Sequence, residues 1–186
     1  MPSSPAKAKP SGEGQENEPI SDIEEILISH AELLFFAYRD FISEPDEILA
    51  TYGFGRAHHR VLHFVHRTPG LRVAQLLNIL KITKQSLARV LKQLIDEGFI
   101  IQRAGKMDGR ERLLFVTSKG AKLTDELAAL QVARIKIALE QAGPGSEETV
   151  RRFLFAMISE DEQQNVAALI AKPCDSVSSE NDPTNT

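Results

Sequence analysis

Apolar residues recur at helical spacing over most of the chain, which predicts a mainly α-helical protein. The first helix is predicted to begin at Ser21, because Ser21 and Glu24 form a capping box, and to end before Pro45. Residues 45–54 are predicted to form a connection with at most one helical turn. Further helices are predicted at about 55–67, 73–80, 84–97, 118–141 and 146–171, with an interruption of the last near Ser159 left open.

Two short β-prone runs interrupt this helical pattern. They cover Phe99–Arg103 and Leu113–Val116, and a polar, glycine-bearing stretch separates them, which predicts a β-hairpin. A helix, a short turn, a second helix and then a hairpin are typical of a winged helix-turn-helix. The predicted fold class is therefore mostly α with a small β-hairpin wing.

The two ends of the chain differ from this pattern. Residues 1–19 and 172–186 are polar and poor in apolar residues, so we expect both tails to be disordered. No apolar run reaches the length of a membrane span, and the start of the chain does not resemble a secretory signal. Cys174 is the only cysteine, so no internal disulfide is expected, and its surroundings give no sign of a redox switch. These features favour a cytoplasmic protein and no membrane partner.

The charge is unevenly distributed along the chain. The net charge is −4, yet residues 53–120 contain 13 Lys and Arg against 4 Asp and Glu. Basic segments can simply balance acidic ones within a fold, so this feature alone favours a nucleic-acid partner only modestly.

The helix at 84–97 has two chemically distinct sides. Its buried side is predicted to contain Leu87, Val90, Leu91, Leu94 and Ile95, and its outer side Gln85, Ser86, Arg89, Lys92 and Gln93. Gln, Ser and Arg read base edges in a major groove, whereas lysines suit phosphates. Wing residues would reach the minor groove or its phosphates, with Asp108 orienting Arg110. The predicted DNA-binding residues are Lys84, Gln85, Ser86, Arg89, Lys92, Arg72, Lys106, Asp108, Arg110 and Arg112.

Residues 71–120 resemble the MarR family of bacterial regulators. The resemblance rests on the helix-turn-helix VAQLLNILKITKQSLARVLKQL, the junction DEGFI, the wing Asp108-Gly109-Arg110 and the strand end Val116-Thr117-Ser118-Lys119-Gly120. The flanking helices agree in order and length, although the wing tip lacks the proline common in the family. The resemblance implies a bacterial homodimer that binds double-stranded DNA and is associated with the nucleoid when bound. It divides the chain into a disordered tail (1–19), a dimerisation helix and connection (20–54), a DNA-binding lobe (55–117), dimerisation helices (118–171) and a second tail (172–186).

The outer helices support a dimer independently of this resemblance. Apolar side chains lie on all sides of the first predicted helix, namely Leu33, Leu34, Phe35, Phe36, Tyr38 and Phe41. The last predicted helix carries Phe153, Leu154, Phe155, Met157 and Ile158. Helices that are apolar over so wide an arc must be buried on several sides. A second chain is expected to cover them, and a monomeric helical core is the alternative.

Aromatic and basic residues near the first two helices suggest an effector site. The predicted lining is Phe36, Tyr38, Arg39, Phe41, Phe54, His58 and His59, which suits an aromatic or lipophilic anion of small size. The same aromatics would equally well form dimer core. His59, His63 and His66 lie on one arc of the second helix, so a metal-responsive or pH-responsive regulator is an alternative, although we predict no metal site and no cofactor.

Two other classes of function fit the sequence less well. A winged-helix protein-interaction module that never touches DNA would leave the basic outer face of the helix at 84–97 without a role. An enzyme is not expected, because the sequence shows no nucleophile–base pair and no glycine-rich phosphate loop.

Overall fold

A computed structural model describes residues 21–105 and 111–171. The chain divides into two units, Met1–Arg39 and Asp40–Thr186. The two predicted tails, the wing-tip residues Lys106, Asp108 and Arg110, and Cys174 lie outside the described residues.

Helix α1 spans Asp22–Ala50 and starts as predicted. The Ser21 N–H donates to Glu24 Oε2 at 2.9 Å, and the Glu24 N–H donates to Ser21 Oγ at 3.3 Å, which is the reciprocal pair of a capping box. The prediction that this helix ends before Pro45 is wrong, because Pro45 lies inside it and is buried. Proline removes one backbone hydrogen bond, but Ile42, Pro45 and Leu49 share one buried face, and their burial offsets that cost.

The remaining elements all belong to the second unit. They are α2 (Arg56–Arg67), β1 (Leu71–Arg72), α3 (Val73–Leu80), α4 (Lys84–Asp96), β2 (Ile100–Ala104), β3 (Arg112–Val116), α5 (Ser118–Ala142), α6 (Ser146–Ala156) and α7 (Glu160–Ile170). The mostly helical fold with a small β wing is thus confirmed. The final helix is interrupted at residues 157–159, close to Ser159, the N-cap of α7.

The wing contains a strand that the sequence analysis missed. The sheet has three antiparallel strands in the order β1-β3-β2, with Leu71 opposite Leu114 and Ile100 opposite Val116. The Gly70 N–H extends the β1 edge by donating to the Leu114 carbonyl at 2.8 Å. Two residues are too short to show the alternation that marks a strand, so only the fold reveals β1.

One core holds the helix-turn-helix and the wing together. Leu62 of α2, Leu76 of α3, Leu94 of α4, and Phe99 and Leu114 of the wing are fully buried in it. Burying each such side chain contributes about 1.5–3 kcal/mol, so this core fixes the position of α4 against α2 and the sheet. Among the described residues, no helix is long and apolar enough to cross a membrane.

A tight corner joins the start of α5 to the end of α4. Thr117 Oγ1 donates to the Gly98 carbonyl at 2.7 Å, and the Thr117 N–H donates to the Phe99 carbonyl at 3.0 Å. Thr117 caps α5 by accepting from the Gly120 N–H at 3.1 Å. A Cβ at Gly120 would lie 2.1 Å from the Phe99 carbonyl oxygen, so only glycine allows this approach. We call these residues, together with Lys119, the α5 corner.

Candidate nucleic-acid interface

The turn before helix α4 and the first residue of the helix both follow from the local sequence. Lys81, the C-cap of α3, adopts the left-handed conformation with φ of 50°, which ends α3 and turns the chain towards α4. Its Nζ lies 2.8 Å from Glu162 Oε1, and this hydrogen bond lowers the pKa of Glu162. Thr83 then caps α4, since its side chain accepts from the Ser86 N–H at 3.1 Å.

The two sides of α4 are confirmed. Leu87, Val90, Leu91 and Leu94 are buried, and Ile95 packs against the core while partly exposed. On the opposite side five side chains are exposed, and we call them the recognition face: Lys84, Gln85, Ser86, Arg89 and Lys92.

The members of the recognition face are not equally available. The Ser86 hydroxyl accepts from the Thr83 hydroxyl at 2.9 Å, and Lys92 forms an ion pair with Asp96 one turn on. Lys84, Gln85 and Arg89 make no hydrogen bond or ion pair through their side chains within the described part of the chain. Since a side chain without an internal partner loses least on binding, these three are best placed to bind a ligand.

Gln93 differs from its neighbours because it faces α2 as well as solvent. Gln93 Oε1 lies 3.0 Å from His58 Nε2, and Gln93 Nε2 donates to Glu97 Oε1 at 3.0 Å. His58 Nδ1 accepts from the Gly55 N–H at 3.1 Å, so Nε2 carries the proton and donates to Gln93. We assign this neutral tautomer from the hydrogen-bond network. Gln93 and His58 therefore connect α4 to the first turn of α2.

A cavity of about 470 Å³ lies beside this connection, between the first turn of α2 and α4. We call it the α2–α4 cavity. Its lining residues are Gly55, Arg56, Ala57, His58, Arg89, Val90 and Gln93. Sequence reasoning missed Arg56 and the cavity itself, because nothing in the pattern reveals that α2 begins against the middle of α4.

The described wing residues are accessible but partly engaged. Arg112 is exposed on β3, and exposed Arg72 on β1 pairs with Glu111, with Nη1 and Oε1 3.2 Å apart. Arg103, which the sequence analysis did not single out, stacks its guanidinium 5.1 Å from the centre of the Phe115 ring. The structure therefore places basic side chains on all three strands of the sheet.

The predicted effector residues fall into both units. In the first unit Phe36 and Tyr38 are exposed, and the Arg39 guanidinium lies 5.0 Å from the centre of the Phe36 ring. In the second unit Phe54 is buried and stacks on His58, with ring centres 4.8 Å apart and planes 8° from parallel.

Phe41 and His59, the remaining members of the predicted set, are half-buried. Phe54 also packs against Tyr52 and Phe99, so it forms part of an aromatic cluster. The effector site stays a prediction.

The histidines of α2 lie in a partly buried environment. Burial lowers the pKa of His59, against the opposing charge of Asp46. Burial also lowers the pKa of His63, and His59, Arg67 and His66 add to that effect.

His66 Nε2 lies 3.1 Å from Asp125 Oδ1, whereas its buried Nδ1 has no partner in the described structure. Residues 21–105 and 111–171 contain no group of three or more His, Cys, Asp or Glu side chains arranged to hold a metal ion.

The architecture and the recognition face together define a class of protein. An exposed polar and basic helix that is held by a buried core, followed by a basic wing, is the arrangement with which winged helix-turn-helix proteins bind DNA.

The sequence profile of the MarR family matches residues 52–111. The HTH-type transcriptional regulator PetP of Rhodobacter capsulatus is 47% identical over 135 residues, which cover 73% of this chain and 81% of PetP. The chain therefore belongs to the MarR family, and it is a DNA-binding transcriptional regulator.

Solved structures agree with this fold. A MarR transcriptional regulator from Methanosarcina mazei Go1 superimposes with a TM-score of 0.58 at 24% identity, covering 72% of this chain and 94% of that one. The MepR–DNA complex of S. aureus superimposes with a TM-score of 0.52 at 17% identity, covering 68% and 96%. At these identities the likeness concerns the fold.

Proposed function

We propose that the protein regulates transcription as a homodimer that places two copies of α4 in successive major grooves of a pseudo-palindromic operator. The observation that carries this proposal is the recognition face, on which Lys84, Gln85 and Arg89 have no side-chain partner within the described residues. Gln85 and Arg89 read base edges, because amide and guanidinium groups can form paired hydrogen bonds with adenine and guanine. Lys84, Lys92 and the wing arginines mainly contact phosphates.

The apolar surface supports a second copy of the chain as partner. In the first unit, Phe35 is 72% exposed and Phe36 is 56% exposed. In the second unit, Val132 of α5 and Phe153 and Leu154 of α6 are at least half exposed. Large apolar side chains that are exposed in this number are typical of an interaction site, and a protein that binds a two-fold symmetric operator needs a surface for self-association.

The proposed regulation is release or modulation by a small aromatic or lipophilic anion. Such an effector changes DNA affinity only if it binds the DNA-competent and incompetent spacings of the two lobes with different affinity. The exposed Phe36, Tyr38 and Arg39 supply an aromatic surface with one cation, which is the chemistry such an anion requires.

A salt-dependent mobility shift on promoter DNA tests the function. The logarithm of the binding constant is expected to fall linearly with the logarithm of the salt concentration. Each phosphate contact contributes about 0.9 to the magnitude of the slope. The full-length chain should migrate as a dimer in sedimentation at the same concentration. Binding that is absent at all salt concentrations would favour a protein-interaction module instead.

A second candidate is a pH-responsive regulator. The lowered pKa values of His59 and His63 favour it, because protonation in the acid range would place two charges in a partly buried site. Operator affinity measured from pH 8 to pH 5.5 distinguishes the pH-responsive regulator from the anion-responsive one. The operator affinity of a regulator that responds only to an anion should change little over that range.

A further inference from the structure

The α2–α4 cavity opens beside the surface that faces DNA in the proposed function. Arg89 belongs both to the recognition face and to the wall of the cavity. A helix seated in a major groove is bordered by the phosphates of the two strands. A concavity on the flank of that helix can therefore face one of those strands.

The lining is basic and contains no carboxylate. Arg56 and Arg89 contribute two guanidinium groups, and the other lining residues are uncharged when His58 is neutral. Arg56 Nε pairs with Asp46 Oδ2 at 2.9 Å, which holds the guanidinium while leaving the side chain 59% exposed. A guanidinium presents five N–H donors in a planar fork, so one side chain can bind a carboxylate and a phosphate together.

The polar atoms of the remaining lining are engaged with one another. His58 Nε2 donates to Gln93, and the Gly55 N–H donates to His58 Nδ1. These polar groups are already hydrogen-bonded to one another, so the N-terminal end of helix α2 is not the group that would bind a ligand. Gly55 leaves this side of the cavity open, since a Cβ at that position meets no atom within 4 Å.

From this geometry we propose that the α2–α4 cavity binds a backbone phosphate of the operator through Arg56, while Arg89, which reads a base in the proposed function, contributes only its positive charge to the cavity. The contact adds affinity without reading sequence. It also fixes how deeply α4 enters the groove, because a phosphate bound between two helices determines the position of both. The inference rests on the proposed function and adds a DNA contact on α2.

Gly55 allows the proposal to be tested without damaging the fold. Its φ of −138° is accessible to any residue, and Asp and Asn are both favourable N-cap residues. Gly55→Asp places a negative charge at the cavity, whereas Gly55→Asn places a side chain of nearly the same shape without charge. Both variants should unfold at the same temperature as the wild type or higher.

The expected result separates charge from shape. Gly55→Asp should lower the affinity for operator and for random DNA alike, roughly tenfold at 0.1 M salt, and Gly55→Asn much less. Arg56→Gln should reduce the slope of log affinity against log salt by about 0.9 for each occupied cavity. The matched control is Arg60→Gln, an exposed arginine on the same helix that does not line the cavity, and it should leave the slope nearer the wild-type value.

The outcomes distinguish the two levels of the hypothesis. A wild-type protein that binds no DNA contradicts the proposed function itself. A wild type that binds DNA together with unchanged affinity in Gly55→Asp and Arg56→Gln overturns only the cavity contact. Calorimetric titration with inorganic phosphate tests a free anion as occupant. Binding that Gly55→Asp abolishes while DNA affinity stays unchanged would assign the cavity to a free anion and overturn the proposal.

Discussion

Gly120→Ala reverses the usual effect of a helical glycine-to-alanine substitution. Alanine is normally favoured over glycine in a helix by about 1 kcal/mol. At the α5 corner the added Cβ would lie 2.1 Å from the Phe99 carbonyl oxygen, which is backbone and not the end of a flexible side chain. The start of α5 must therefore move about 1 Å away from the α4–β2 turn to restore ordinary contact.

That movement disrupts the hydrogen bonds that close the corner. Thr117 makes two of them, at 2.7 Å to the Gly98 carbonyl and at 3.0 Å to the Phe99 carbonyl. Each contributes about 0.5–1.5 kcal/mol, and the overpacking itself costs about 1–3 kcal/mol. After the gain in helix propensity, Gly120→Ala should lower the free energy of unfolding by about 1–5 kcal/mol.

Urea denaturation at a fixed protomer concentration measures this loss. A fixed concentration is needed because the proposed dimer would make the apparent stability depend on protomer concentration. Gly55→Ala is the matched control, since its Cβ points into open space, and it should change stability by no more than about 0.5 kcal/mol. If Gly120→Ala unfolds at the wild-type urea concentration, the close approach to Phe99 does not constrain the corner and the reasoning is refuted.

Four further predictions concern binding and pH. Arg89→Ala should cost about 1–3 kcal/mol at the cognate operator and relax its specificity, and an equal loss on random DNA would contradict base reading. The folded-state pKa of His63 is lowered, so stability should be full above its ordinary value of 6.5 and fall below it. His63→Gln should flatten that decline in urea titrations at several pH values. A chain of residues 20–172 should bind operator as tightly as the full chain, and a large loss would make residues 1–19 a DNA-contacting arm. Salicylate-like anions should release wild-type protein from operator, and Arg39→Ala should lose this response with DNA affinity unchanged.

The sequence predicts the elements whose patterns are long enough to repeat. The two sides of α4 are visible because Leu87, Val90 and Leu94 recur at helical spacing, and the starts of α1 and α4 follow from local capping chemistry. The predicted end of α1 is wrong for a physical reason. A proline rule describes the lost hydrogen bond, whereas the burial of Pro45 depends on which surface the helix packs against.

The parts that could not be predicted are contacts between distant segments. His58 and Gln93 are 35 positions apart, and their hydrogen bond follows only from how α2 packs on α4. Arg56 acquires its place at the cavity in the same way. The α5 corner can be predicted in part, because Thr117 is recognisable in the sequence as a helix cap and Gly120 as a glycine inside a helix. Their partner, the Phe99 carbonyl, carries no side-chain signal.

The register of the wing has a consequence for protein engineering. Ala104 opposite Arg112 is the outermost pair of the hairpin, and the register of β3 is fixed on its other side by Leu71 of β1. Because Arg72 is also the N-cap residue of α3, the sheet is connected directly to the first helix of the helix-turn-helix. We therefore expect that the segment between Gly105 and Glu111 can be exchanged for a loop of another length or composition while the strands keep their alignment. The wing is in this sense a replaceable module, and chimeras that differ only there would measure the contribution of the wing to DNA affinity separately from that of α4.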